Sequence, residues 1–499
     1  MLSSDFLFSV FDQDQYENPG RYEASREFAQ LVERLLPPNW SIQRHSIWLQ
    51  VTPPLSTVLP SQGFKIHLSS APFCSADILQ VVVPICLEHD VGFKLVADRW
   101  LLEIMNSARY GRSQSGKFIT LYPWDESSFR RVIEALYQNT INRPFVGPYI
   151  LSDRRYRESR ILSYRYGAFG TVRQLSVDGS IQPLILAPDG SQQVDNPRPY
   201  FALPPGVQDP FESVDEQAVR PAPLLAGRFR LEALLEPTNA GNMYEGTDLH
   251  TGRKVVIKEA RPFTSYLTQE GAIDTLTLLR REYDVLTRLN DCVFTPRPVA
   301  LFEEWEHLFL AELRPKGTLL YQFFAMPGHI MLPYIRRPGT LAHFLPIFRV
   351  IGESLIRGVQ AIHLAGVRLG DISISNVWIH DKPLRASFVD LTGARIIDRA
   401  DQPTMREGHD SAARQYQDIS IDEEMRRTDI HRLGMILLNS VLPMPHFEEL
   451  RPDTHKMLYW LEALGIPTPV LSTIEHLLRA DTESTSRAME SLTELPNSA

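Results

Sequence analysis

Residues 370–376 read GDISISN, and this heptapeptide sets the frame for the second half of the chain. Asp371 and Asn376 stand five residues apart. That gap lets one turn aim a carboxylate at an acceptor hydroxyl and an amide at a metal. Downstream, Asp390 (FVDLTG, 388–393) follows an apolar strand and can hold magnesium against phosphates. Upstream, Lys258 ends a strand (KVVIKEA, 254–260), from which an ammonium can point at nucleotide phosphates. Glu282 lies in a helix (LRREYDVLTRL, 279–289), where a carboxylate can pin that lysine. Phosphoryl transfer is mostly positioning and charge neutralisation, and these are the parts it requires.

The order and spacing of these pieces resemble the protein-kinase fold. TDIHRLG (428–434) resembles the helix that carries the fold's buried structural aspartate, here Asp429. The departures are specific. Where the fold has a glycine-rich loop the chain reads EPTNAGNMY (236–244), so only Gly241 matches, with Glu236 and Thr238 at the other glycine positions. Leu369 and Gly370 replace the His and Arg before the catalytic Asp, Ser373 replaces the usual lysine, and Leu391-Thr392 follow Asp390. These changes raise the alternative of an inert pseudokinase. Yet Lys258, Glu282, Asp371, Asn376 and Asp390 are all present, which favours an active enzyme.

Working back to the N-terminal half, FKIHLSS (64–70) places Lys65 and His67 two apart on a strand, so both side chains face one side. Such a pair suits an elimination in which an amine removes a Cα proton and an imidazolium protonates the leaving oxygen. Neighbouring cations can depress the lysine's pKa. Candidates are Lys94, Arg109, Arg112, Lys117, Arg154, Arg155 and Arg165. If they converge they make a phosphate pocket. The bland alternative is a set of ordinary surface charges around a hydrogen-bonded strand histidine.

KIHLS, GFKLVADR, SGKFITLYP, GPYILSDRRYR and SYRYGAF resemble the phospholyase domain of class III lanthipeptide synthetases, a domain similar to bacterial effector phosphothreonine lyases. YEGTD, VVIKEARP, LRREYDVL, TPRPVALFEEWEH and GDISISN resemble the kinase domain of the same family. The resemblance covers most of residues 15–445. It implies Lys65 as general base, His67 as general acid, and Lys94, Lys117, Arg109 or Arg112, and Arg154 or Arg155 as phosphate and substrate ligands, with each pair left open. It implies Asp371 as the kinase base, Gly241, Lys258 and Glu282 at the nucleotide, and Asn376 and Asp390 at the metal. The cofactors implied are ATP (or GTP) and Mg2+ in the kinase half and none in the lyase half.

The implied function is peptide dehydration: phosphorylation of Ser or Thr in a precursor peptide with a leader, then loss of phosphate to give dehydroalanine or dehydrobutyrine. The family's cyclase domain is expected to be missing, because only some 57 residues remain from about Pro443 onward. This resembles lipolanthine-type pathways with an avionin ring. The expected partner is then a flavin-dependent cysteine decarboxylase, or a separate cyclase. The rival readings are a phosphothreonine lyase effector with a disabled kinase half, and a peptide-binding scaffold.

Composition fits. The chain has 499 residues, 43% hydrophobic and 22% charged, with a net charge of −9. This is ordinary for a soluble two- or three-domain protein and argues against a nucleic-acid partner. Three scattered cysteines (Cys74, Cys86, Cys292) form no disulfide or zinc framework, and no signal peptide or apolar span of about 20 residues occurs, so the cytoplasm is expected and no membrane. Hydrophobic periodicity predicts helices over 23–36, 75–89, 100–105, 126–137, 273–289, 345–365 and 427–441. It predicts strands over 64–70, 92–96, 117–122, 164–169, 181–186, 228–234, 254–258 and a pair within 299–313. The fold expected is α+β: an effector-type phospholyase domain (1–205), a Pro-rich acidic linker (206–226) and a two-lobed kinase fold (227–499, lobes about 227–315 and 316–490).

Overall fold

The computed structural model describes residues 25–54, 59–108, 110–170, 172–177, 179, 181–187, 190–195, 198, 200–211, 224–264, 274–325, 339–397, 421–442 and 453–497. Arg109 and linker residues 212–223 lie outside them.

The N-terminal half is α+β. Helix α1 (Glu27–Leu35) precedes β1 (Ser41–His45), β2 (Trp48–Thr52), β3 (Gln62–Leu68), α2 (Ser75–Glu88), β4 (Gly92–Val96), α3 (Arg99–Met105), β5 (Ile119–Tyr122), α4 (Glu126–Thr140), β6 (Arg154–Arg155) and β7 (Leu162–Ala168). The strands form one antiparallel sheet in the order β1-β2-β4-β5-β3-β7-β6. The β1–β2 hairpin is an addition to the sequence reading. It turns at Ser46, whose φ is 57°, and its first strand is largely exposed, so it carries little hydrophobic signal. Side chains alternate along β3. Ile66 and Leu68 are fully buried in a core that includes Ile78 and Val82 of α2 and Phe129 and Val132 of α4. The intervening Lys65 and His67 therefore face away from that core. Helices α3 and α4 start where Asp98 and Asp125 accept hydrogen bonds from Leu101 N and Ser128 N, the N-cap role that short acidic side chains fill.

A small sheet follows: β8 (Arg173–Leu175), β9 (Ile181–Leu186) and β10 (Gln192–Val194), with β9 in the middle. Beyond it, part of the expected linker packs back on the first domain. Asp209 accepts hydrogen bonds from Tyr164 and Arg154, and Phe211 sits among Phe129, Tyr156 and Tyr164.

The second half opens with an antiparallel sheet of β11 (Phe229–Pro237), β12 (Asn242–Asp248), β13 (Arg253–Ala260), β14 (Pro298–Glu304) and β15 (His307–Leu313), in the order β11-β12-β13-β15-β14. Helix α5 (Thr275–Arg288) packs against it, its N-terminus capped by Asp274. A helical lobe follows: α6 (Thr340–Leu364), the hairpin β16 (Val377–Asp381) and β17 (Leu384–Phe388), then α7 (Ile421–Val441), α8 (Thr454–Ala463), α9 (Thr468–Arg479) and α10 (Ser484–Thr493). Helix α6 begins five residues before the expected start, running through Pro346, which stands in its second turn. There the ring removes the N–H that would bond the Ala342 carbonyl, so one rung of the helix ladder is missing. No helix among the described residues is long and apolar enough to cross a membrane.

Candidate functional site

Strand register brings the first site together. Lys94 on β4 sits opposite Gln50 on β2 and Thr120 on β5. Thr120 sits opposite His67 on β3, and His67 opposite Ser163 on β7. One step along, Lys65 pairs with Arg165. Directly opposed residues share a face, so one row of the sheet gathers these side chains. All of these except Ser163 line a cavity of about 570 Å³, together with Lys117, Gln114, Arg173, Ile181, Pro183 and Asp195.

Electrostatics set the protonation of this cavity. Burial, reinforced by Arg165, Lys94 and Lys117, pulls the Lys65 ammonium down to about 7, although Asp195 opposes it. Burial also lowers Lys94 and Lys117, each to about 8. Lys94 stacks over Trp48, 4.2 Å from the ring centroid, and Lys117 donates to Ser113 O at 2.6 Å. His67 Nδ1 lies 2.5 Å from Asp153 Oδ2, both buried. Burial holds His67 down to about 4 against the pull of Asp153. Asp153 would be raised by burial, but His67, Lys117 and Arg165 carry it well below the ordinary carboxylate range. Because Nδ1 is committed to Asp153, Nε2 is the nitrogen that can exchange a proton. The arrangement offers a base with a depressed pKa beside an oriented imidazole, among cations suited to a phosphate.

Two acids were missed in the sequence. Asp195 pairs with Arg165, accepts from Ala168 N at 2.8 Å and lies 3.9 Å from Lys65 Nζ. Asp153 stands in GPYILSDRRYR, directly before Arg154 and Arg155. The structure takes both arginines elsewhere. Arg154 bonds Asp209 at 2.8 Å and lies over Phe201. Arg155 pairs with Glu306 and lies against Tyr149 and Trp305. Consecutive strand residues diverge, and each arginine meets a carboxylate from a distant segment. Arg112 faces Glu259 and Tyr244 of the second half, with burial lowering its pKa. None of Arg112, Arg154 and Arg155 lines the cavity.

The second site is built around Lys258. Its Nζ lies 2.5 Å from Glu282 Oε1, 3.2 Å from Asp390 Oδ1 and 3.8 Å from Glu312 Oε1. Burial would lower this ammonium, but Asp390, Glu282 and Glu312 outweigh it and hold it well above its ordinary value. Glu282 also accepts from Leu391 N at 2.8 Å, so one carboxylate fixes both the lysine and the residue after Asp390. Asp390 has φ of 59°, a left-handed conformation that short polar side chains tolerate. Gly241 belongs to the β11–β12 turn, where a Cβ would meet Glu259 O at 1.7 Å. Only glycine fits there.

Asn376 Nδ2 donates to Asp371 Oδ2 at 3.0 Å, and Arg432 Nη1 donates to Asp371 Oδ1 at 3.0 Å and Gly370 O at 2.6 Å. Asp429 is fully buried and accepts from Leu369 N and Gly370 N at 2.9 and 2.8 Å, pinning this segment as its sequence suggested. Arg432, one turn after Asp429, was not foreseen. It brings a cation to Asp371 where the usual lysine is Ser373. A nucleotide with magnesium fits the donor set: the Asp390 carboxylate and the Asn376 amide oxygen are hard oxygen ligands. Among the described residues no cluster of three His, Cys, Asp or Glu side chains forms a separate metal site.

Parts of the chain are similar to known proteins. Residues 28–223 match the family model described as the RamC N-terminal domain. The chain is 30% identical over 436 residues to a probable SapB synthase of Streptomyces coelicolor (strain ATCC BAA-471 / A3(2) / M145), an alignment covering 87% of this chain and 45% of the other. The chain thus spans about half the length of the curated relative it matches.

Proposed function

We propose that this chain is a two-step peptide dehydratase of the lanthipeptide-synthetase kind, with a kinase half that phosphorylates Ser or Thr and a lyase half that expels the phosphate. The observation that carries the reading is Lys65 beside His67 on one strand face, in a cavity shared with Lys94, Lys117 and Arg165. The likeness to a protein named as a SapB synthase supports a peptide-maturing role.

In the first step the peptide hydroxyl attacks the γ-phosphorus of ATP. A new O–P bond forms, the bond to the β-phosphate oxygen breaks, and ADP leaves. Asp371 receives the hydroxyl proton, and Arg432 and Asn376 hold its carboxylate in place. Lys258 steadies the phosphates. Asp390 and Asn376 would hold Mg2+, which would supply charge neutralisation for the transferring group.

In the second step neutral Lys65 takes the Cα proton, the Cβ–O bond breaks and phosphate departs. Lys94, Lys117 and Arg165 offset its charge as the carbanion-like transition state forms. His67 protonates the leaving oxygen through Nε2. The incoming phosphate carries about −1.5 to −2 charge, and this favours the imidazolium that burial alone disfavours. The product is dehydroalanine from Ser or dehydrobutyrine from Thr. The dehydrated residue is then the acceptor for ring closure, lanthionine or avionin-type, with a cyclase or a flavin-dependent cysteine decarboxylase as the proposed partner.

The test is a synthetic phosphoserine peptide incubated with the chain in the absence of nucleotide. Release of phosphate with appearance of a dehydroalanine residue, abolished in Lys65→Ala, supports the reading. An intact phosphopeptide after prolonged incubation with the wild-type chain defeats it.

A further inference from the structure

The β11–β12 turn has lost two of the three glycines that would let it wrap a nucleotide, yet it is not left loose. Thr238 closes it from within: its N donates to Gly241 O at 3.0 Å, and Gly241 N donates to Thr238 Oγ1 at 3.2 Å. Asn239 holds it from outside. This residue is fully buried, although it sits at the tip of a hairpin, a place where side chains are normally exposed. Its N donates to Ala108 O at 2.9 Å, and Nδ2 donates to Ser107 O at 2.7 Å. Its O and Oδ1 both accept from Arg261 Nη1, at 2.6 and 3.0 Å. Arg261, buried to 1% exposure, returns the tie through Nη2 to Tyr149 O, and its own N donates to Ala240 O at 2.7 Å. The partners Ser107, Ala108 and Tyr149 all belong to the N-terminal domain.

We propose that Asn239 is a positioning residue for the nucleotide site: it fixes the phosphate-covering turn to the N-terminal domain, which thereby completes the kinase half in cis. This rests on the kinase reading above. A turn set in advance binds nucleotide without the ordering cost a glycine loop would carry. Loss of the tie should therefore weaken nucleotide binding more than it slows transfer. Asn239→Asp separates the two ties, since it keeps an acceptor for Arg261 but loses the donor to Ser107.

The experiment uses the full chain with Lys65→Ala, so that phosphopeptide accumulates. Asn239→Ala and Asn239→Asp should each raise KM for ATP on the order of tenfold, with kcat within about twofold. A KM for ATP within twofold of the parent, or a fall in kcat alone, overturns the proposal. With Lys65 intact, both variants should eliminate phosphate from a synthetic phosphopeptide within about twofold of wild type, which shows that the fold survives; loss of elimination makes Asn239 a folding residue and overturns the proposal too. Calorimetric binding of a non-hydrolysable ATP analogue reads the same shift without turnover. If the parent binds the analogue but never phosphorylates, the kinase reading fails, while weaker binding by the variants still upholds the role of Asn239.

Discussion

Replacing Asp195 by Asn should make Lys65 lose its proton at lower pH. The Asp195 carboxylate lies 3.9 Å from Lys65 Nζ, and both side chains are largely buried. At that separation a unit charge is worth ~1 kcal/mol in water-like surroundings and ~4 kcal/mol at an effective dielectric near 20. At about 1.4 kcal/mol per pH unit the shift is then about one to three units. The sign is fixed because the carboxylate stabilises the ammonium, so its removal favours the free amine. Lys65 starts at about 7. The acidic limb of kcat/KM for phosphopeptide elimination should move from about 7 to about 6 or below, where the substrate's own second ionisation, near 6, takes over. The plateau should also fall, because Arg165 and Ala168 N lose an anionic partner. The assay is phosphate release from a phosphoserine peptide between pH 5 and 9, with midpoint and plateau fitted separately. A midpoint that stays at 7 or rises would refute Lys65 as the titrating base under the influence of Asp195.

Three further outcomes separate the two halves. Gly241→Ala forces a methyl into Glu259 O, so peptide phosphorylation should be lost while elimination from a supplied phosphopeptide persists; retained phosphorylation contradicts the tight turn. Asp153→Asn removes the anion that orients His67 and should slow elimination on the order of 10²-fold, the scale of general acid catalysis, with phosphorylation unchanged in a Lys65→Ala background. Arg155→Ala should leave elimination within about twofold, since Glu306 holds its guanidinium; a loss above tenfold in kcat/KM would return Arg155 to the phosphate.

The parts legible in the sequence are those that periodicity or fixed order makes visible. Alternation along FKIHLSS put Lys65 and His67 on one face, and the buried Ile66 and Leu68 explain why that face is forced. Lys258, Glu282 and Asp390 were legible as an ordered series, and the structure brings all three within one ion-pair cluster. Asp195 was hidden because it lies in a loop after β10, where no periodic pattern marks direction. Glu312 was hidden for a different reason: it reads as one polar residue in an apolar strand. Arg154 and Arg155 fit a phosphate by residue type, but the carboxylates they meet in the structure, Asp209 and Glu306, lie 55 and 151 residues away in the sequence. Arg432 is marked in the sequence by its place three positions after Asp429, on the same helical face.

The most direct measurement is mass spectrometry of a Ser-containing precursor peptide incubated with the chain and Mg-ATP. The account predicts a transient gain of about 80 Da that resolves to a net loss of about 18 Da per serine in the wild type, a stable gain in Lys65→Ala and no change in Asp371→Ala. A dehydrated product from Lys65→Ala, or a peptide whose mass never changes with the wild type, contradicts it.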